Sequence, residues 1–282
     1  MRTTSWLTVF QEKLSHIYSS GEVREISFQI LEFVTQKNRL QLLVENPTLH
    51  SEINQQITGY LTRLQRHEPI QYLLGFTHFG NLKITVSPAV LIPRPETEEL
   101  VYLTFEHIKH KPDSVILDCC TGSGCIALLI KYLLPRSTVF AWDISEESLS
   151  MAQKNAQLLQ LPINLLRVDL LNPKIYPETK YDVIISNPPY VPADEKDSIL
   201  PHVLNFEPSL ALFSPQNDPI LFYRYLVALA AQTLLPGGII ALEHHHTQQQ
   251  QILSLLQKNG FSNIVPLKDA FGKERFIVAF LS

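Results

Sequence analysis

The run Asn187-Pro188-Pro189-Tyr190 sets two hydrogen-bond acceptors side by side. Adjacent prolines fix φ and remove two backbone donors, leaving the Pro188 carbonyl as a rigid acceptor. The side-chain oxygen of Asn187 is the second, and together they can receive both N–H bonds of a planar NH2 group. An amide or aryl-amine nitrogen is a poor nucleophile because its lone pair is delocalised into the adjoining π-system. Two acceptors can turn it so that the lone pair faces an electrophilic carbon, a positioning contribution on the order of 7 kcal/mol at best. No strong base is needed, since the nitrogen becomes very acidic once it has attacked. Tyr190 is expected to stack on the flat group and restrict its tilt.

A second chemical region lies upstream. Val115 to Ala127 reads as a buried strand, a turn of small residues (Cys120, Thr121, Gly122, Ser123, Gly124) and a helix start, which lets a ligand approach bare backbone at the carboxyl edge of a sheet. The spacing departs from the dinucleotide fingerprint, because Ala127 stands at the third glycine position and no basic group accompanies the turn. Asp143 closes the next strand, twenty-five positions beyond Asp118, about where an acid takes two ribose hydroxyls. Asp169 ends the strand after that. Three carboxylates along one edge, Asp118, Asp143 and Asp169, suit a ligand that is cationic or rich in hydroxyls. S-adenosylmethionine has a sulfonium, an amino group and no phosphate, and is the expected cofactor.

These groups must be carried by a framework. From Ser114 the pattern alternates strand and helix, which implies a parallel sheet covered on both faces. Asp218-Pro219 is expected to open a helix reaching about Leu234, Pro236-Gly237-Gly238 to turn into the strand Ile239 to Leu242, and the last two apolar runs to pair as an antiparallel hairpin at the sheet edge. Upstream, Ile26, Ile30, Phe33 and Val34, then Ile57, Leu61 and Leu64, recur at helical spacing. Between these parts, Phe79 to Val86 and Val90 to Ile92 read as strands joined at Ser87-Pro88. The division expected is a helical bundle over 1–75, a β-hairpin linker over 76–95 and a catalytic domain over 96–282.

The chain has 282 residues, 45% hydrophobic and 18% charged, enough for one large domain and a small one. A formal net charge of −4 lacks the Lys/Arg excess of a surface that neutralises many phosphates, so stable nucleic-acid binding is not expected. There is no secretory signal pattern and no long unbroken apolar run, which points to the cytoplasm and away from membranes. Cys119, Cys120 and Cys125 suit reduced thiols. No metal is expected: His244-His245-His246 cannot easily face one ion together, and they read as a solvated turn.

Several separated segments resemble the release factor glutamine methyltransferases, the HemK/PrmC family: Glu68 to Gly75 with Phe79-Gly80, Leu91 to Glu98, the turn at 120–124, the Asn-Pro-Pro-Tyr loop, Glu207-Pro208 with Ala211-Leu212, and Gly272 to Arg275. The stretch Pro93-Arg94-Pro95-Glu96-Thr97-Glu98 discriminates best among them. The resemblance implies an α/β fold in which a seven-stranded Rossmann-like methyltransferase domain follows a helical bundle and a β-hairpin. It implies methyl transfer to the side-chain nitrogen (N5) of the glutamine in the Gly-Gly-Gln motif of class I peptide-chain release factors, in support of translation termination. The bundle would dock the release factor. Residue by residue, Thr121 to Gly124 match the cofactor turn, Asp143 the ribose acid and Asn187 to Tyr190 the substrate clamp; Asn187 also borders the cofactor. Leu170 stands where relatives often have an aromatic beside the adenine. Cys120 replaces the first glycine of the turn, and His245 stands where a glycine is expected. Arg94 and Glu96 are expected near the cofactor mouth. The alternative reaction is N6-adenine methylation of DNA or RNA, for which the same loop would clamp the exocyclic amine of a flipped base.

Overall fold

The computed structural model describes residues 1–172 and 178–282, which divide into two compact units: Met1–Gly75 with Leu200–Phe206, and Phe76–Ile199 with Glu207–Ser282. The span expected for the catalytic domain includes residues 173–177, which lie outside the described residues.

The first unit is built from six helices, α1 (Thr3–Leu14), α2 (Ser20–Thr35), α3 (Arg39–Glu45), α4 (Ser51–Leu64), α5 (Ile70–Leu74) and, from the later segment, the short α9 (Pro201–Leu204). Local chemistry sets their ends. Ser19 and Glu22 form a capping box before α2, Asn38 and Gln41 another before α3, and Asn46, left-handed at φ 40°, stops α3. Gly59 does not break α4, because the buried stripe Ile57, Leu61 and Leu64 continues through it. The core is formed by Phe10, Leu14, Phe28, Ile30, Leu31 and Ile57, all essentially inaccessible to solvent.

The second unit opens with a hairpin, β1 (Phe76–Phe79) and β2 (Leu82–Thr85). Here the expected strands are corrected. The chain reverses at Gly80-Asn81, inside what reads as one strand, and Val90 to Ile92 is irregular. A two-residue connection needs positive φ, which Gly80 adopts at +55°, so turn chemistry overrides the apolar alternation. The hairpin is fastened to α8 (Glu146–Leu159): Thr85 N–H donates to Asn155 Oδ1 (2.8 Å), and Asn155 Nδ2 donates to the Thr85 carbonyl (3.0 Å).

After α6 (Pro95–Ile108) the alternation begins, with β3 (Val115–Cys119), α7 (Cys125–Leu133), β4 (Thr138–Asp143), α8, β5 (Asn164–Arg167) and β6 (Tyr181–Ser186). The short helix α10 (Ser209–Leu212) precedes α11 (Leu221–Thr233), β7 (Leu234–Glu243), α12 (Gln249–Lys258), β8 (Phe261–Lys268) and β9 (Glu274–Leu281). The seven strands lie in the order β5-β4-β3-β6-β7-β9-β8, parallel through β7, with β9 antiparallel to both β7 and β8. Pro266 is accommodated because β8 is an edge strand.

Two further expectations are adjusted. The helix expected from Asp218 starts at Leu221; Asp218 instead closes a turn with its carbonyl, accepting from Leu221 N–H at 3.1 Å. Pro236-Gly237-Gly238 lies within β7 as an irregularity, with Tyr181 opposite Leu234 and Val183 already opposite Ile239. The core around Trp142, Tyr181, Tyr223, Ile184 and Ile240 leaves the carboxyl ends of β3, β4 and β6 free to carry chemistry.

Candidate active site

Strand order places the site. From β3 the sheet extends to β4 on one side and β6 on the other, so the loops after these strands part and leave a crevice at their carboxyl ends. Cys119 is paired with Trp142 of β4 and with Ser186 of β6, which brings the turn after Cys119, the acid Asp143 and the loop from Asn187 to one edge. A cavity of about 410 Å3 opens there.

The turn after β3 is shaped by positive φ at Cys120 (62°), Gly122 (54°) and Gly124 (81°). Gly124 caps α7 where the helix lies close to α8: a Cβ there would stand 3.0 Å from Cβ of Ala152. Cys120 and Gly122 line the cavity. Thr121 and Ser123 are buried and, with Gly124, form the turn from behind, so of the five expected contact residues in this turn two face the ligand space.

Asp143 lines the cavity and is already engaged by backbone: Oδ2 accepts from Gly122 N–H and Oδ1 from Ser145 N–H, both at 2.9 Å. Each oxygen keeps a lone pair for a ligand hydroxyl. Burial holds this carboxyl above its ordinary pKa, against the backbone hydrogen bonds that favour the ionised form. Asp169 and Leu170 also line the cavity, with Asp169 Oδ1 accepting from Leu171 N–H at 2.9 Å.

Asp118 does not join them, contrary to the expected row of three acids. It is fully buried, facing α7, where Oδ2 accepts from the Thr121 hydroxyl and from Ala127 N–H (3.2 Å). β3 runs one residue beyond it, so Asp118 points off the edge and into the strand–helix layer; burial pushes its carboxyl up to about 7.

The lining includes Asp143, Glu147 and Asp169 and no Lys, Arg or His among the described residues. The only charged side chains a phosphate would meet among the described lining residues are carboxylates, whereas a cation with a pair of hydroxyls is matched. Apolar walls come from Val168, Leu170, Leu171, Ala89, Leu91 and Phe222. Ala89, Leu91 and Phe222, with Pro88 and Leu210, were not among the expected site residues. Their lack of polar atoms carries no chemical signal in a sequence, and only packing reveals them.

Asn187 and Pro189 line the cavity; Pro188 is buried and Tyr190 lies outside the lining. Asn187 Nδ2 donates to Thr97 Oγ1 at 2.9 Å. The Tyr190 hydroxyl donates to Glu243 Oε1 at 2.9 Å, Gln248 Nε2 donates to the Tyr190 carbonyl at 2.9 Å, and the ring stacks on His245 with centroids 6.4 Å apart. Burial first, then the Glu243 charge, raise the Tyr190 phenol well above its usual pKa. Arg94 and Glu96 are also outside the lining; Arg94 pairs with the buried carboxylate of Glu207, whose other oxygen accepts Ile92 N–H at 3.1 Å.

The expected solvated histidine turn is corrected. His244 is fully buried and His245 nearly so, while His246 is exposed as expected; β7 and β9 pair side by side in the sheet, and His244 extends that pairing, its N–H donating to the Arg275 carbonyl at 2.9 Å. His245 Nε2 lies 3.3 Å from a carboxylate oxygen of Glu195. Among the described residues, no group of three or more His, Cys, Asp or Glu is arranged to hold a metal ion, and no helix is long and apolar enough to cross a membrane.

Residues 5–75 match the PrmC N-terminal domain and residues 101–205 the methyltransferase small domain. A release factor glutamine methyltransferase from Bacteroides thetaiotaomicron is 38% identical over 271 residues, 95% of this chain and 96% of that one. One from Flavobacterium psychrophilum is 38% identical over 98% of both chains. Among solved structures, the human methyltransferase 10 domain containing protein is similar in fold (TM-score 0.53, 18% identity, 72% of this chain and 90% of that one). So is the T. thermophilus 16S rRNA methyltransferase RsmC, in complex with AdoMet and guanosine (TM-score 0.53, 19% identity, 73% and 50%).

Proposed function

This chain belongs to the family of release factor glutamine methyltransferases, and we propose that it transfers a methyl group from S-adenosylmethionine to the side-chain amide nitrogen (N5) of the glutamine in the Gly-Gly-Gln motif of class I release factors. The observation that carries this reading is the cavity in which Asn187 shares a wall with Asp143, acid-lined and without a basic side chain among the described residues.

S-adenosylmethionine supplies an electrophilic methyl carbon on a sulfonium. Asp143 would accept the two ribose hydroxyls with the lone pairs that Gly122 and Ser145 leave free. The apolar walls at Leu170 and Leu171 would take the adenine, and Asp169 and Glu147 add negative potential facing the positive charge. Asn187 Oδ1 and the Pro188 carbonyl would each accept one N–H of the glutamine amide and turn its lone pair towards the methyl carbon. Tyr190, held by Glu243 and Gln248, keeps the loop in place. The proton lost after attack leaves to solvent or a loop carbonyl. The helical unit would dock the release factor, since a three-residue motif offers little area for affinity. The place of action is the cytoplasm.

The test is transfer of labelled methyl from S-adenosylmethionine to a purified release factor, beside a variant whose Gly-Gly-Gln glutamine is replaced and beside adenine-containing DNA and RNA. Label on the intact release factor alone is expected. Label on nucleic acid would install N6-adenine methylation in its place.

A further inference from the structure

The side-chain amide of Asn187 has two ends that differ in chemistry and barely in shape, so something must determine which end faces the cavity. Its Nδ2 donates to Thr97 Oγ1 at 2.9 Å, and Thr97 Oγ1 donates to Glu243 Oε2 at 2.8 Å. A hydroxyl has one proton to give. With that proton directed at a carboxylate, the Thr97 oxygen can only accept, and of the two ends of Asn187 only the NH2 end satisfies it. Oδ1 is left for the cavity.

We infer that Thr97 and Glu243 are positioning residues that set the polarity of the Asn187 clamp, holding it as an acceptor and so selecting a substrate nitrogen that donates. The inference rests on the proposed reaction, in which Asn187 receives an N–H of the glutamine amide. Both residues are shielded from water, Thr97 at 3% exposure in the first turn of α6 and Glu243 at 1% at the end of β7. Neither touches the cavity, so they act through Asn187.

The arrangement depends on the charge of Glu243. Facing that carboxyl are Thr97 and Glu96 from α6, Tyr190 from the substrate loop, Arg275 from β9, Cys125 from α7 and Tyr223 from α11, whose hydroxyl donates to the Glu243 carbonyl at 3.0 Å. Burial pushes the carboxyl up to about 7, opposed by the hydrogen bonds from Thr97 and Tyr190 and by Arg275. A protonated Glu243 donates to Thr97, whose own proton then turns to Asn187 and is satisfied by the carbonyl end. The amide flips and its NH2 end meets the substrate NH2. Clamping is therefore lost as pH falls through this range.

The experiment compares the full-length wild type with Thr97→Val, Thr97→Ser and Glu243→Gln, measuring kcat on a purified release factor between about pH 5.5 and 8.5, together with S-adenosylmethionine affinity by calorimetry. Thr97→Val, which keeps shape and loses the hydroxyl, is expected to lower kcat by about tenfold to a hundredfold with cofactor affinity within about twofold. Thr97→Ser restores kcat. Wild-type kcat rises with pH through an acidic limb near 7, and Glu243→Gln, which cannot ionise, is flat across the range. Wild-type kcat in Thr97→Val, loss not restored by serine, loss accompanied by lost cofactor binding, or an unchanged acidic limb in Glu243→Gln each overturn the inference. Absence of any transfer by the wild type overturns the proposed function, and this inference with it.

Discussion

Oδ2 of Asp143 accepts the backbone N–H of Gly122 at 2.9 Å, so the acid at the end of β4 and the small-residue turn after β3 are held as one unit. The same carboxylate faces the cavity. Asp143→Ala is expected to weaken S-adenosylmethionine binding by about tenfold to a hundredfold, the scale of losing charge-assisted hydrogen bonds of about 1.5–3 kcal/mol. Calorimetric titration measures it, and wild-type affinity would remove Asp143 from the cofactor site.

Asn187 divides differently between binding and turnover. In Asn187→Ala the loop keeps its prolines and the Tyr190–Glu243 bond, while one oriented acceptor is lost. We expect kcat to fall by about a hundredfold to a thousandfold, the range seen when one fixed polar group at a reacting centre is removed, with cofactor affinity largely retained. Equal loss of both contradicts this division of roles.

Cys120 adopts φ 62°, a region that suits glycine. A left-handed residue with a Cβ costs roughly 1–2 kcal/mol, and a β-branched one more. Cys120→Gly should therefore fold with stability within about 1 kcal/mol of wild type, the relief offset by unfolded-state entropy, whereas Cys120→Val should be clearly destabilised. Thermal melts rank the three; a valine variant as stable as the glycine one would refute the strain.

Asp118 makes stability fall with rising pH. Its folded pKa of about 7 lies above its ordinary 3.8, so between these values the folded chain holds a proton that the unfolded chain has lost, and folding weakens as pH climbs through that window. Asp118→Asn, neutral in both states, should lack this component. The difference in melting temperature between variant and wild type is expected to move in the variant's favour from pH 5 to 8; a constant difference would show that Asp118 is ionised throughout.

His245 has the opposite sign. Burial lowers its pKa, with Glu195 opposing, so the unfolded chain takes up a proton first and the contribution of His245 is lost as pH falls below its ordinary value of 6.5. His245→Gly, the residue expected by resemblance, removes the stack on Tyr190 and the contact with Glu195. The stability advantage of wild type over this variant should be greater at pH 8 than at pH 5, read by denaturant melts.

The strands β3 and β6 that end at the site were legible because their buried residues are nearly continuous, and α8 carries its own cap at Ser145. The hairpin register was not, since the chain from Phe79 to Val86 alternates well enough to hide a turn at Gly80-Asn81. The burial of His244 is hidden for a related reason: three histidines look polar, and only the pairing of β7 with β9, which continues past Glu243 to His244, takes the first of them into the sheet.

From sequence alone came the types of the reacting groups and the strand ends that bear them, because proline geometry, small-residue turns and apolar periodicity act over a few neighbouring positions. Tertiary structure decided that Asp118 turns inward while Asp143 faces the cavity, and that Asn187, Thr97 and Glu243 share a chain of hydrogen bonds across separations of 90 and 146 residues. Such bonds depend on how a sheet and its helices pack, and no local pattern encodes which end of an amide will be left facing the substrate.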